Sequence, residues 1–479
     1  MSLQFRSAAD IADGVRTRDL DPVGVVEAFL DRIDERGDVT NAYVEVLHDE
    51  ARAQARDVRE RLDAGEELPL AGVPVGMKDL GESKAGVRLT NGLVPLSDNV
   101  AAETTTMIER LEAAGAVVVG TTNTPAMGHT VRTVNDVVGP TGTPFDPERN
   151  AGGSSGGSAA ALADGLCTLA TGSDVGGSLR NPASCCNVVS VKPTHGLVPN
   201  GSARNGFLGH TPVAVKGPMA RDVDSLARML DVVAGRDPVD PFSVPKQRTY
   251  RDVVREPADP ASLELAYSPG LDLFPVAPAV RDAIESTLDD LEAEGATVDH
   301  VDLDTPDRHA VNQAYLVTVT TFFATEVEEM NREFGFDLLA DYREELPDVL
   351  VDLAEAGQAH DLTEYTHTDF PRTDLYHAVE DTLEGYDALV CPTLATPPLT
   401  HEEPFPTDID GEATNGMPTD WTLAWIFNLT GHPVVNVPAD LADGLPVGMQ
   451  LVGPTFSESR LLEVATAIEA TSPWDYPDV

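Results

Sequence analysis

The chain has 479 residues, 42% of them hydrophobic but only 5% aromatic, so a sizeable core has to be packed mostly by Val, Leu and Ala. Eighty acidic residues against 32 basic ones give a net charge of −48, spread along the whole chain; this excludes a single acidic tail and argues against nucleic acid and anionic membranes as partners. The only lysines are Lys78, Lys84, Lys192, Lys216 and Lys246, and such a lysine-poor, acid-coated surface predicts a halophilic source, because concentrated salt screens the self-repulsion.

In chain order, the opening MSLQFRSAAD lacks the apolar stretch of a signal peptide, and no run of about 18 apolar residues follows, so the expectation is a soluble, cytoplasmic protein. Residues 1–66 read as a helical segment. Ser7 can cap a first helix, Asp21-Pro22 caps a second that contains VVEAFLDRI, and a third runs from about Asp49 to Ala64. AGVPVGMKD then reads as a strand, Thr105 to Ala114 as a helix, AGAVVVGTTN as a buried strand, Gly157 to Ala163 as a helix and CTLATGSD as extended. Residues 220–385 are more helical and more acidic and read as a variable insert. DALVCPT, HPVVNVP and VGMQLVG read as late strands, and SESRLLEVATAIEA as a closing helix capped by Ser457. This alternation predicts an α/β fold: a single large domain over 1–479, with a mixed, mostly parallel central sheet covered by helices. The four cysteines, Cys167, Cys185, Cys186 and Cys391, have no CxxC spacing and read as small buried thiols.

The segment from Gly152, GGSSGGS, is unusual. Glycine costs conformational entropy, so a run of it inside folded structure needs a reason. A flexible linker is one reading, but an apolar helix follows directly. A phosphate loop would need a closing GK[ST]. Gly153, Ser155 and Gly157 match GxSxG formally, yet the preceding GTPFDPERNA is a poor strand for a nucleophile elbow. A second glycine-flanked serine, Ser178 in DVGGS, lies 24 residues after Ser154, and Lys78 ends the apolar VPVGMKD upstream.

The stretch GGSSGGSAAALADGLCTLATGSDVGGSLRNPAS, with GMKD, VKPTHGLVP and NLTGHPVVNVP…GLPVGMQLVGP, resembles the amidase signature family from about Leu20 to Ala470. The resemblance implies a Ser–Ser–Lys triad: Ser178 as nucleophile, Ser154 as bridging serine and Lys78 as base. It implies a cis peptide before Ser154 and an oxyanion hole from the N–H groups of Val175, Gly176, Gly177 and Ser178. These residue types suit the chemistry. Serine is a weak nucleophile until deprotonated, and lysine can take the proton only when burial keeps it neutral. Consecutive glycines let backbone N–H groups approach the developing oxyanion closely.

Asp174 and Arg180 read as scaffold charges of that loop. Met127 and Gly128 are expected to border the substrate, and Ser155 either supports the loop or contacts the substrate. Trp421, Trp425 and Phe427 read either as a roof over an apolar acyl or aryl site or as ordinary core. His129, His195 and His432 read as structural or pocket-lining. The resemblance implies no metal and no organic cofactor, with a small-molecule amide as substrate, and a homodimer is compatible with this size. It leaves three activities open: a stand-alone amidase, the glutaminase subunit of a tRNA-dependent amidotransferase, and an esterase or non-catalytic member. TNTPAMGHTVRTVNDVVGPTGTPFDP is closer to the stand-alone enzymes.

Overall fold

The computed structural model describes residues 2–201, 205–207 and 212–477. Eleven strands join in one sheet: β1 Tyr43–Val46, β2 Pro74–Lys78, β3 Val117–Thr122, β4 Leu169–Asp174, β5 Val189–Lys192, β6 Val215–Ala220, β7 Glu264–Tyr267, β8 Thr297–His300, β9 Ala388–Pro392, β10 Val434–Pro438 and β11 Gly448–Val452. Their order across the sheet is β1-β3-β2-β4-β6-β5-β10-β11-β9-β7-β8. Helices cover the sheet, giving the expected mixed α/β body of one domain.

Parallel pairing is confined to the two flanks, β3-β2-β4 and β9-β7-β8. The middle of the sheet, β4-β6-β5-β10-β11-β9, is antiparallel throughout. The parallel share is therefore smaller than the alternation of helices and strands suggested. One cause is local. Asp443 and Gly444 both take positive φ, and Ala442 and Leu445 bond each other in both directions, a tight hairpin turn that folds β11 back on β10.

The N-terminal helices form where their caps stand. Ser7 accepts from the N–H of Asp10 ahead of Ala8–Arg16, and Asp21 accepts from Gly24 ahead of Pro22–Thr40. Between the second and third helices, Tyr43–Val46 becomes β1 and edges the sheet antiparallel to β3. Ser457 precedes the closing helix Glu458–Thr471, but its side chain makes no cap hydrogen bond, in contrast to the expectation. Its hydroxyl is packed close to Gly453 instead.

Residues 220–385 contribute β7 and β8 to the sheet. The following stretch is helical, led by the long helix Arg308–Phe334. Val319, Phe323 and Val327 of that helix pack with Leu93, Leu96, Ala126 and Met127 in a hydrophobic cluster separate from the main core. All four cysteines are free and buried.

Candidate active site

The parallel strands β2, β3 and β4 end side by side, at Lys78, Thr122 and Asp174. Crevices outside the carboxyl ends of parallel strands are where α/β folds place their ligands. Here the chain leaves β4 through the glycine loop 175–178. The helix Gly156–Ala163 starts beside it and is buried along its whole length, which its small residues, GGSAAALA, allow.

Lys78 is fully buried. Its Nζ lies 2.8 Å from Ser154 Oγ and 2.9 Å from Ser173 Oγ, and its backbone N–H donates to Thr171 Oγ1 at 2.9 Å. Alternate residues of a strand share a face, so Thr171 and Ser173 of β4 both reach the neighbouring lysine. Burial pulls the Lys78 pKa down to about 7, while the negative charges of Asp174 and Glu82 act in the opposite sense. The amine can therefore be neutral near neutral pH, as a base must be.

Burial alone does not single out this lysine. Lys192 at the end of β5 is also sealed from water, with its pKa likewise lowered by burial to about 7. Among the described residues, its Nζ has one hydrogen bond, to the Pro193 carbonyl at 3.4 Å. The two serine hydroxyls around Lys78 make the difference.

Ser154 follows a cis peptide from Gly153. Gly153 has to be glycine, since a Cβ there would lie 2.8 Å from backbone atoms of Arg132. A Cβ on Gly128 would lie 3.1 Å from Ser154 Oγ, so Gly128, expected to border the substrate, lies against that serine. Its neighbour Met127 sits in the hydrophobic cluster against which Val175 packs.

Ser155 is fully buried. Its N–H donates to the Ser178 carbonyl at 3.1 Å, and its hydroxyl faces the Ser173 carbonyl at 3.5 Å. These contacts tie the two glycine–serine segments together and make Ser155 part of the scaffold. Ser178 itself is only half-buried.

The loop is braced by charge. Asp174 accepts from Arg180 Nε and Nη2, both at 3.0 Å, and from Asn428 Nδ2 at 2.8 Å. Arg180 also donates to Asn428 Oδ1, the Ala424 carbonyl and Gln450 Oε1. Burial would raise the Asp174 pKa, but the adjoining guanidinium and hydrogen bonds outweigh it and hold the group down at about 2. The same carboxylate accepts the Gly177 N–H at 2.7 Å and the Leu179 N–H at 3.1 Å. The Gly177 N–H is thus engaged with Asp174 in this state. Among the described residues, the N–H groups of Val175, Gly176 and Ser178 have no partner.

The aromatic residues divide. Trp425 stands beside the loop, its Cβ 3.7 Å from where a Gly176 Cβ would be. Trp421 packs on Phe405 and donates to Thr396 Oγ1, and Phe427 is wholly in the core. His432 bonds Thr430 and Glu380, and burial lowers its pKa to about 4; His129 bonds the Ala126 carbonyl. His195 packs against Phe242. Among the described residues, no cluster of His, Cys, Asp and Glu is arranged to hold a metal, and no helix is long and apolar enough to cross a membrane. Two surface clefts, of about 480 and 240 Å³, are lined by other residues, including Gln54, Arg61 and Glu112 in one and Arg228, Lys246 and Arg251 in the other.

Two neighbours of these residues were not anticipated from the sequence. Ser173 could have been found from its alternation with Thr171 on a strand neighbouring β2. Tyr315, on the helix Arg308–Phe334, carries no motif; its hydroxyl occupies the space a Cβ at Gly176 would fill.

A buried lysine with its pKa drawn near neutrality, a serine hydroxyl on its amine and a glycine loop with three N–H groups unpartnered among the described residues lie together at the ends of β2 and β4. The family model for amidases matches residues 24–462. An acylamidase of Rhodococcus erythropolis is 32% identical over 476 residues, covering 99% of this chain and 97% of that protein. A glutamyl-tRNA(Gln) amidotransferase subunit of Koribacter versatilis (strain Ellin345) is 32% identical over 489 residues, covering 95% of this chain and 96% of that one. The crystal structure of a bacterial aryl acylamidase of the amidase signature family superposes with a TM-score of 0.92 at 31% identity, over 98% of this chain and 97% of that one. The chain belongs to the amidase family, the amidase signature enzymes, and is a hydrolase acting on amides.

Proposed function

We propose that this chain is a stand-alone amidase that cleaves a small carboxylic amide through a Ser178 acyl-enzyme, with Lys78 as base and Ser154 as relay. The observation that carries the reading is the 2.8 Å contact between Ser154 Oγ and the Nζ of a lysine held near neutrality by burial. The Lys78 lone pair takes the Ser154 proton as Ser154 takes that of Ser178. Ser178 Oγ adds to the amide carbon, and the carbonyl π pair moves onto oxygen, which meets the N–H groups of Val175, Gly176 and Ser178. The C–N bond then breaks with its electron pair on nitrogen, which receives the relayed proton and leaves as ammonia or an amine. A water, deprotonated through the same relay, adds to the acyl carbon and releases the carboxylate, and Ser178 regains its proton. The reaction as written needs no metal or organic cofactor.

The substrate class we favour carries an apolar acyl or aryl group. Met127, Val319 and Phe323 belong to a hydrophobic cluster that meets the glycine loop at Val175, and Trp425 lies beside Gly176. The names of the acylamidase relative and the aryl acylamidase structure point the same way. A panel of anilides, aliphatic amides and glutamine, assayed in high salt with Ser178→Ala as blank, tests this. Turnover of anilides by the purified chain is expected. The relatives that belong to glutamyl-tRNA(Gln) amidotransferases keep a second reading in view. Glutamine-only turnover that appears when partner chains and charged tRNA are added would replace the first reading with the second.

A further inference from the structure

We infer that Tyr315 is a substrate-contacting residue of this site, donating its phenolic O–H to the substrate oxygen held at the glycine loop. The inference rests on the acyl-enzyme reading above. Tyr315 lies on the helix Arg308–Phe334, far in sequence from every residue of the triad. Three observations carry the assignment. Its hydroxyl fills the space that a side chain on Gly176 would need, so residue 176 is glycine to make room for the phenol as well as to free the backbone. That hydroxyl has no hydrogen-bond partner among the described residues, although the ring is packed between both hydrophobic clusters. The residue is partly buried, so its O–H, with no acceptor among the described residues, stays available to a ligand at the loop. Finally, the Gly177 N–H is engaged with Asp174, which removes one donor that the loop would otherwise offer.

The ring is held for this task. Tyr315 packs on Trp425 with centroids 4.8 Å apart, and Trp425 meets Phe274 edge-on at 5.8 Å. The Arg308 guanidinium covers Phe274 at 4.9 Å. This aromatic stack fixes the phenol over Gly176 without giving its hydroxyl a competing acceptor. Burial and the nearby Asp174 carboxylate push its pKa up, with Arg180 opposing, so the phenol keeps its proton and remains a donor.

The test compares wild type, Tyr315→Phe and Ser178→Ala in two measurements. The first is binding of phenylboronic acid, whose boron accepts the Ser178 oxygen as the serine proton passes to the relay, giving a tetrahedral anion in the place of the oxyanion. The second is steady-state hydrolysis of an anilide. Tyr315→Phe is expected to weaken boronate binding by about tenfold or more, the loss of one good hydrogen bond to a charged group. It is expected to lower kcat by a similar factor with KM within about twofold. Equal boronate binding by wild type and Tyr315→Phe, or a loss confined to KM, overturns the assignment, because packing alone would account for it. If Tyr315→Phe does not fold, a ring-fluorinated tyrosine at 315 keeps the shape and acidifies the hydroxyl. Boronate binding should then weaken as pH rises through the lowered phenol pKa; a pH profile identical to wild type sinks the assignment. If no amide is turned over but boronate binding still depends on both Ser178 and Tyr315, the amidase reading falls and the role of Tyr315 stands.

Discussion

Asp174 and Arg180 are both sealed from solvent and meet side-on, Nε to Oδ2 and Nη2 to Oδ1, each at 3.0 Å. With its other oxygen contacts, the carboxylate gathers the Gly177 and Leu179 N–H groups and so sets the curvature of the glycine loop. Arg180→Met leaves that carboxylate buried and unpaired. The expected loss is about 3–5 kcal/mol, read as a fall in the urea midpoint. An unchanged midpoint would mean that the pair does not hold the loop.

The pH dependence follows from Lys78. Burial lowers its pKa from 10.5 to about 7, so below that pH the amine is protonated and cannot accept a proton from Ser154. Activity, as kcat/KM, should rise with pH on a limb centred near 7 and level off above it. Glu82 favours the charged amine, so Glu82→Gln should move the limb to lower pH, helped by the Lys216 ammonium that loses its carboxylate partner 3.1 Å away. A limb centred near 10 would show that Lys78 is not the desolvated base.

Ser173 and Ser154 both touch the Lys78 amine, but only Ser154 stands in the proposed relay. Ser173→Ala should reduce kcat/KM about tenfold, the value of one hydrogen bond. Ser154→Ala or Lys78→Met should reduce it by on the order of 10⁴-fold, as removal of a catalytic unit does. Equal losses from Ser173→Ala and Ser154→Ala would place both hydroxyls on the proton path.

The net charge of −48 sets an expectation for salt. The Debye length falls from about 10 Å at 0.1 M to about 3 Å at 1 M, so concentrated KCl should screen the acid coat. Melting temperature should climb between 0.1 and 2 M KCl. A flat profile over that range would remove the case for a halophilic protein.

Much of this molecule was legible before folding was considered. Ser7 and the Asp21-Pro22 pair cap their helices because capping is a matter of a few neighbouring residues. The buried runs around Lys78, Val117 and Leu169 became strands because continuous β-branched and apolar residues suit a sheet covered on both faces. Less was legible in the centre of the sheet. The Asp443-Gly444 turn was a local signal that went unread, and it makes β10 and β11 an antiparallel hairpin. Ser457 looked like a cap, yet its hydroxyl is buried against Gly453 and bonds no N–H of the helix.

From residue order came the family resemblance, the acid coat and the candidate triad, since each depends on residue types at short or characteristic spacing. Folding alone brought the Ser154 and Ser173 hydroxyls onto the Lys78 amine, committed the Gly177 N–H to Asp174 and laid Tyr315 over Gly176. Those outcomes depend on which distant segments share one small volume, and on how dry that volume is. Neither quantity is written in any local pattern of side chains.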